Sequence, residues 1–291
     1  MIRLQNEQAR MAIAPEMGGS VLYFDLLVDG QWLPVMRHSE QAKDIIETAS
    51  FPLAPFCGRI RDGKFTFNGR EIILPRNRAD QKHTIHGQAW QFPWTIDESS
   101  ETEARLSFVY EPGDWPWKYE VKQHFRLDGA ALDMTMQIRN LDSEAMPGAM
   151  GFHPYFDKAS PVFLSTFAKD VWMIDDEVMP THLIPAEGDW ALGPDKPLAD
   201  FVCDQNFQHW SREATLRWPE RDLAVSVTAD EAFPVLVIYC PAGQPIFCFE
   251  PAGNVADAVN AEPTGDPAVD MQVLQPGEAR EGGMRIARIE T

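Results

Sequence analysis

The sequence predicts a mainly β protein, built as a large sandwich or barrel of antiparallel strands. The first indication is a set of turn dipeptides whose residues tolerate the positive φ of tight hairpins: Asp29-Gly30, Asp62-Gly63, Asn68-Gly69 and Asp128-Gly129. Between these turns apolar residues alternate with polar ones, and no amphipathic helix of about 12 residues or more is readable. The 23 prolines and 19 glycines also favour many short strands.

Two hairpins are readable in detail. Residues 119–127 and 132–138 both alternate with a period of two and flank Asp128-Gly129, so we expect one antiparallel hairpin there. Residues 64–67 and 71–74 flank Asn68-Gly69 in the same way. Residues 185–200 form a long loop rich in Pro, Gly and Asp. Because strand patterns resume on both sides of it, residues 1–291 are predicted to be a single domain.

The formal net charge of −19 limits the classes of partner. A surface this acidic repels phosphate backbones and anionic lipid, so neither nucleic acid nor a membrane is expected to bind. The N-terminal residues lack a signal-peptide pattern, and no stretch reaches the length of a membrane span. Four cysteines without a C-x-x-C pair are expected to be buried thiols in a reducing, cytoplasmic compartment. These cysteines are Cys57, Cys203, Cys240 and Cys248.

Motifs for nucleotide binding and serine hydrolysis, such as G-x-x-x-x-G-K-[ST] and G-x-S-x-G, do not occur in the sequence. His83 and His86 form H-x-x-H, but in an extended segment this spacing directs the two imidazoles to opposite faces. No carboxylate completes a metal-ligand pattern around them. We therefore predict neither a metal nor a cofactor.

Two segments in the first third of the chain could hold a ligand. Arg59, in PFCGRIRDG, is an arginine among apolar residues that needs an acceptor, which a purely structural salt bridge would also supply. His86, in HTIHGQAW, precedes Gly87, which permits a ligand to approach the backbone. Trp90 and Trp94 follow and could form an aromatic wall, although packing in the core is the favoured explanation for this second segment.

Two later segments could carry catalysis. His153, in GAMGFHPYF, shares a strand face with Ala149 and Gly151, whose small size would leave a cavity beside the imidazole. Glu250, in QPIFCFEPAGN, ends a nearly apolar strand, where loss of water should raise its pKa toward that of a useful base. Buried glutamates are rare without a partner or a function, so Glu250 is the strongest single indication of chemistry.

In this order the four segments resemble the aldose 1-epimerase (galactose mutarotase) family, over nearly the whole chain. Arg59-Ile60 and His86-Gly87 match two residue pairs in the first part of that family's sequences. His153, which lies ahead of Tyr155-Phe156, matches the family's general acid, and Glu250-Pro251 matches its general base. Asp204, in CDQNF, is the best match for an aspartate that holds sugar hydroxyls. The resemblance implies the family's large antiparallel β-sandwich, a galactose mutarotase-like super-sandwich, with the sugar across its open face.

The chain departs from the family pattern at three positions. Gly58 stands where the family often has asparagine, Gln88 where it often has glycine, and Pro154 where galactose mutarotases usually have Ser or Thr. These departures bear on sugar specificity more than on the chemistry.

The resemblance implies an enzyme that interconverts the α and β anomers of a hexose. Glu250 would take the proton of the anomeric hydroxyl while His153 protonates the ring oxygen, and the ring would open and reclose. We expect these two side chains to face each other across a cavity one pyranose wide. The substrate-binding residues would be Arg59, His86, Asp204 and Trp90. The expected partner is a small monosaccharide, by default neutral, and the expected state is a monomer or homodimer.

Three alternatives stay open. A hexose-6-phosphate 1-epimerase would share the acid and the base and add a basic pocket, for which Arg59, Arg61, Arg76 and Arg78 are the candidates. A non-catalytic carbohydrate-binding protein would keep aromatic walls without an acid/base pair. A structural β protein would hold His153 and Glu250 merely as a buried pair.

Overall fold

The computed structural model describes residues 1–266 and 270–290. Over these residues the chain forms 25 strands, six 3-10 helices of three residues each and no α-helix, which confirms the mainly β class. The strands are β1 (Ile2–Gln5), β2 (Ala9–Ala14), β3 (Ser20–Val28), β4 (Gln31–Pro34), β5 (Pro52–Leu53), β6 (Arg59–Ile60), β7 (Lys64–Phe67), β8 (Arg70–Ile73), β9 (Thr84–Ile85), β10 (Thr95–Ser99), β11 (Glu103–Tyr110), β12 (Tyr119–Leu127), β13 (Ala131–Asn140), β14 (Met146–Pro147), β15 (Gly151–Phe152), β16 (Tyr155–Asp157), β17 (Phe163–Ile174), β18 (Pro180–Pro185), β19 (Lys196–Pro197), β20 (Cys203–Trp218), β21 (Leu223–Ala229), β22 (Val235–Cys240), β23 (Ile246–Ala252), β24 (Val273–Leu274) and β25 (Ala279–Ile289). The 3-10 helices are Ile45–Glu47, Arg61–Gly63, Ala89–Gln91, Gly188–Trp190, Pro219–Arg221 and Ala258–Asn260.

A single antiparallel sheet of 15 strands dominates the described residues. Its main path runs β10-β11-β12-β13-β25-β21-β20-β22-β23-β15-β5, with β16 paired to β23 and β17 paired to β18, β19 and β20. A second sheet contains β1 to β4 in order, and three two-stranded pairs complete the fold: β6 with β9, β7 with β8, and β14 with β24. The C-terminal strand β25 therefore lies between β13 and β21, so the sheet joins distant parts of the chain.

The strands β12 and β13 form the hairpin that the alternating pattern predicted. They pair from Tyr119↔Asn140 to Leu127↔Leu132, across the Asp128-Gly129 turn. Buried residues occupy every second position of β12, so one face packs into the core and the other is partly exposed. β7 and β8 likewise pair across Asn68-Gly69, and β3 and β4 pair across Asp29-Gly30.

One continuous hydrophobic core links the two largest sheets. It contains Phe24 of β3, Leu106 of β11, Phe125 of β12 and Phe247 of β23, each 0–1% exposed. Burying a side chain of this size contributes about 1.5–3 kcal/mol relative to leaving it in water. All four cysteines are buried and free, which confirms the expected thiols. None of the helices within residues 1–266 and 270–290 has the length and hydrophobicity to cross a bilayer.

Two turn-rich segments differ from the sequence-based expectation. Asp62-Gly63 does not close a hairpin, because β6 before it pairs with β9 while β7 after it pairs with β8. The positive φ of Asp62, 53°, instead serves a 3-10 turn. Residues 185–200 are not a free loop: β19 pairs with β17, and Leu192 and Leu198 are buried. In both cases a distant partner decides the structure.

Candidate active site

Glu250 lies on β23, inside the large sheet, opposite Val237 of β22. The strand continues to Ala252, so Glu250 does not end it as the sequence suggested. The side chain is 4% exposed, and burial raises the pKa of its carboxyl well above the usual range. The negative charge of Asp204 raises this pKa further, while the positive charge of Arg59 opposes the shift. The apolar strand thus has the effect on this carboxyl that the sequence predicted.

His153 occupies the short link between β15 and β16. The centre of its imidazole lies 4.5 Å from that of Phe51 and 4.7 Å from that of Tyr155, and these two rings are 6.2 Å from each other. The Nε2 atom lies 3.4 Å from Glu250 Oε1, whereas Nδ1 is buried with no hydrogen-bond partner among the described residues. The reactive edge of the ring is therefore the one that faces the glutamate.

The pKa of His153 is lowered to about 3, mainly by burial, and the nearby guanidinium groups of Arg37 and Arg59 add to this effect. Burial shifts the pKa values of the two partners in opposite directions, because it penalises the charged form of each group: the imidazolium of His153 and the carboxylate of Glu250. It favours a neutral imidazole beside a protonated carboxyl over an imidazolium beside a carboxylate.

Arg59 and His86 come together through the short ladder of β6 and β9, where Arg59 pairs with Ile85. His86 has a φ of 58°, and its backbone N–H donates to Gly58 O at 2.9 Å. The Gly58 N–H donates in return to His86 Nδ1 at 3.2 Å. Burial, with Coulombic contributions from His153 and Arg59, lowers the pKa of His86 well below the usual range. A neutral ring that accepts at Nδ1 carries its proton on Nε2, so His86 is a hydrogen-bond donor.

Asp204 lies on β20, and its carboxylate is 3.5 Å from the Arg59 guanidinium. Burial raises the pKa of Asp204, although the charge of Arg59 and its hydrogen bond act in the opposite direction. Asp204 and Arg59 remain 27% and 22% exposed, so both can contact a ligand. The salt bridge that the sequence allowed for Arg59 is therefore present, and it lies within the candidate site.

Trp90 forms part of an aromatic wall, as one of the two sequence-based explanations proposed. Its ring stacks on Phe51 at 5.7 Å, and its Nε1 donates to Gly87 O at 2.9 Å. The rings of His86 and His153 meet edge to face, with centroids 5.3 Å apart. Trp94, in contrast, is packed in the main core.

One cavity of about 500 Å³ is lined by all six side chains named from the sequence: Arg59, His86, Trp90, His153, Asp204 and Glu250. This volume lies within the range typical of small-molecule sites. The expectation that His153 and Glu250 face each other across the width of a pyranose is wrong, because their nearest atoms are 3.4 Å apart. They line the cavity as an adjacent pair.

A model of the aldose 1-epimerase family matches residues 1–287. The chain belongs to the aldose 1-epimerase family. The match confirms the resemblance first carried by the segments around Arg59, His86, His153 and Glu250.

Individual relatives support the same family. YphB of Escherichia coli K12, an uncharacterized protein, is 26% identical over 277 residues, which cover 91% of this chain and 92% of YphB. The galactose mutarotase of Rattus norvegicus is 30% identical over 145 residues, 45% of this chain and 41% of the rat protein. A solved galactose mutarotase-like protein of Clostridium acetobutylicum has a TM-score of 0.87 at 18% identity, covering 99% of this chain and 95% of its own. The last likeness confirms the super-sandwich fold.

Sequence reasoning missed several residues of this aldose 1-epimerase family site. Phe51, Tyr155, Tyr239, Asn206 and Arg37 all line the cavity. Tyr155 could have been found, because it lies two residues after His153 and alternation places it on the same face. Phe51 and Arg37 gave no local signal, since they reach the cavity only through the folding of the N-terminal third against β15 and β16.

His153, Cys248 and Glu250 are the described residues whose geometry could hold a metal ion, since their ligand atoms lie within 4.8 Å of one another. Imidazole, thiolate and carboxylate are all zinc ligands. Burial and the charge of Glu250 raise the pKa of the Cys248 thiol well above its usual range, which disfavours the thiolate that a metal requires. His83 is not part of this site, because its Nε2 lies 3.3 Å from Glu177. A metal-independent site stays a prediction.

Proposed function

We propose that the protein is an aldose 1-epimerase that interconverts the α and β anomers of a hexose by acid/base ring opening. The observation that carries this proposal is the 3.4 Å separation of His153 Nε2 and Glu250 Oε1 in the wall of a cavity large enough for a sugar. Anomerisation moves protons at O1 and at the ring oxygen, and both of these atoms are bonded to C1. An acid and a base in near contact can therefore reach both at once.

The reaction needs one proton to leave and one to arrive. Glu250 accepts the proton of the O1 hydroxyl while the bond from C1 to the ring oxygen breaks and C1=O1 forms. The ring oxygen takes a proton from His153 Nε2, which gives the open-chain aldehyde. After rotation about C1–C2, the same hydroxyl attacks the other face of C1 and both protons return. General acid/base transfers of this kind each contribute about 10²–10⁴-fold in rate.

The pair requires a single transferable proton. Burial places this proton on Glu250 before a sugar binds, because it raises the pKa of Glu250 and lowers that of His153 to about 3. Transfer from Glu250 to His153 across 3.4 Å gives the imidazolium and carboxylate that the step uses. The hydroxyl groups of a bound sugar would stabilise this charged form by donating to the carboxylate.

The surrounding residues have complementary hydrogen-bonding roles. Arg59 and the Nε2–H of His86 supply donors toward the sugar oxygens, and they stabilise negative charge that develops on O1. Asp204 supplies an acceptor for hydroxyl groups, held in place by Arg59 at 3.5 Å. Trp90 lines the cavity and supplies aromatic surface for the apolar face of a pyranose.

Two of the four arginines considered for a hexose-6-phosphate epimerase line the cavity, Arg59 and Arg78. Arg59 pairs with Asp204, and Arg78 pairs with Asp44 and Asp80. Arg61 lies near three acids, Asp175, Glu177 and Asp257. Arg76 is exposed and does not line the cavity. These ion pairs argue against a phosphate site built from these four side chains.

The test is a direct measurement of anomerisation. Freshly dissolved α-glucose and α-galactose are followed by polarimetry, and saturation-transfer NMR measures exchange at equilibrium. We expect acceleration over the spontaneous rate that survives added chelator. Binding of a sugar without acceleration would support the carbohydrate-binding alternative, and neither binding nor acceleration with any hexose would reject the proposal.

A further inference from the structure

Arg37 is a cavity residue with no role in the chemistry above. It follows β4, and its guanidinium donates from Nε to Thr48 O at 2.7 Å and from Nη2 to Ile46 O. The guanidinium carbon lies 3.7 Å from the centre of the Tyr155 ring. These contacts fix the orientation of the planar group at the cavity wall.

The charge of Arg37 is not neutralised by a bonded acid. Among the described residues, its hydrogen bonds go to two carbonyl oxygens and to the side chain of Tyr155, and none of these acceptors is a carboxylate. Glu47 is close enough to act through its charge, but its carboxylate accepts the N–H groups of Lys43 and Asp44. Burial lowers the pKa of Arg37, the mark of a cation deprived of water. Half-buried cations of this kind are strongly stabilised by an anion.

The position of Arg37 relative to His153 indicates which part of a bound sugar would contact Arg37. Both groups contact Tyr155, whose ring centre lies 3.7 Å from the guanidinium carbon and 4.7 Å from the centre of the imidazole. Arg37 is also close enough for its charge to lower the pKa of His153. In a pyranose the ring oxygen that His153 protonates is bonded to C5, and C5 carries C6. A group on C6 accordingly lies beside His153, within reach of the wall that contains Arg37.

We propose that Arg37 binds a negatively charged group on C6, so that the preferred substrate is an acidic hexose rather than a neutral one. The group on C6 would be an oxyanion, such as a carboxylate, a phosphate or a sulfonate, whose oxygen atoms accept hydrogen bonds from the planar guanidinium. The inference rests on the proposed function for the placement of the ring. It replaces the neutral sugar that the sequence suggested by default.

Binding is the measurement of choice, because it does not depend on turnover. Isothermal titration calorimetry compares galactose with galacturonate, galactose 6-phosphate and 6-deoxy-6-sulfogalactose on the wild-type protein. At least one of the three anions should bind about tenfold or more tightly than galactose, a difference of about 1.4 kcal/mol. The ranking of the three anions identifies which oxyanion the cavity accepts.

Three variants assign the preference to Arg37. Arg37→Gln should abolish this preference, measured as the ratio of anion affinity to galactose affinity within the same variant. Arg37→Lys keeps the charge but loses the planar fork, so the preference should fall at least about threefold without disappearing. Arg217→Gln is the matched control, since Arg217 also lies over an aromatic ring, Phe163, but outside the cavity. It should leave the preference unchanged.

The outcomes separate the subsite from the proposed function. Equal binding of galactose and all three anions would overturn the role of Arg37, as would a preference that survives Arg37→Gln. If Arg37→Gln does not fold, an unchanged preference in Arg37→Lys has the same meaning. Absence of anomerisation would reject the catalytic proposal, and it would leave the binding comparison as an independent result.

Discussion

At the scale of single residues, the pair His153–Glu250 combines two opposite shifts. Burial in one low-dielectric cavity raises the pKa of the carboxyl and lowers that of the imidazole to about 3. Because the nearest atoms of the two groups are 3.4 Å apart, they titrate as a unit and their apparent pKa values belong to the pair. The active pair is the one that holds a single transferable proton.

The pH dependence of the rate follows from this proton count. Activity should fall on the alkaline side as the pair loses its proton, with a midpoint governed by the raised pKa of Glu250. On the acid side it should fall only when the pair gains a second proton, which the lowered pKa of His153, about 3, displaces far below neutrality. Anomerisation rates from about pH 4 to about pH 9, corrected for the spontaneous reaction, check this profile. An acid limb with a midpoint near 6.5, the ordinary value for histidine, would contradict it.

The two residues proposed to be catalytic could be named from the sequence because each carries a local signal. Glu250 interrupts an apolar strand, and His153 precedes Tyr-Phe in a segment of small residues. Arg37 and Phe51 could not be named in this way. Their contacts with Tyr155 and His153 span more than 100 residues of chain, and no local pattern encodes such a distance.

At the scale of elements, the turn that contains Gly87, between β9 and the 3-10 helix Ala89–Gln91, sets the position of His86. Gly87 has a φ of 71°, and a Cβ atom there would lie 2.2 Å from Ala54 O, a backbone atom that cannot move away cheaply. The same Ala54 carbonyl accepts the N–H groups of Gln88 and Ala89. The close approach of the two segments is therefore part of the site.

Gly87→Ala should lower both stability and activity. The positive φ alone costs about 1–2 kcal/mol for a residue with a Cβ, and the clash with Ala54 adds to this and displaces His86. Gly69→Ala is the matched control, since Gly69 has a φ of 76° but no atom within 4 Å of the added Cβ. Chemical denaturation and anomerisation rates compare the two. Equal losses of stability, or full activity in Gly87→Ala, would argue against this role of the turn.

Whether a strand pairs with a near or a distant partner explains which elements could be predicted from the sequence. The β12–β13 hairpin was predicted because its alternation and its Asp-Gly turn are local, and its partner lies next to it in sequence. Asp62-Gly63 carries an equally strong turn signal, yet β6 finds its partner 25 residues later in β9. Turn chemistry fixes a local conformation, whereas strand pairing depends on competition among distant partners.

At the scale of the whole molecule, the 15-stranded sheet unites residues from 52 to 289. β25 pairs on one side with β13 and on the other with β21, and the core also includes the sheet of β1 to β4. These distant pairings are compatible with one folded unit. The single domain, expected because strand patterns resume on both sides of residues 185–200, remains a prediction.

Unfolding should accordingly be one cooperative transition. Tryptophan fluorescence, far-UV circular dichroism and calorimetry should give coincident midpoints, because the shared core cannot be lost in parts. Two separated transitions, or a calorimetric enthalpy that clearly differs from the van't Hoff value, would divide the chain into independent units.

The most direct test of the central claim is the anomerisation rate of Glu250→Gln on its best hexose. This isostere keeps the volume and removes the base, so the rate should fall about 10²–10⁴-fold while the protein stays folded. Glu120→Gln, on the partly exposed face of β12 and outside the cavity, is the control and should keep the full rate. A Glu250→Gln protein that anomerises sugar as fast as the wild type would contradict the account.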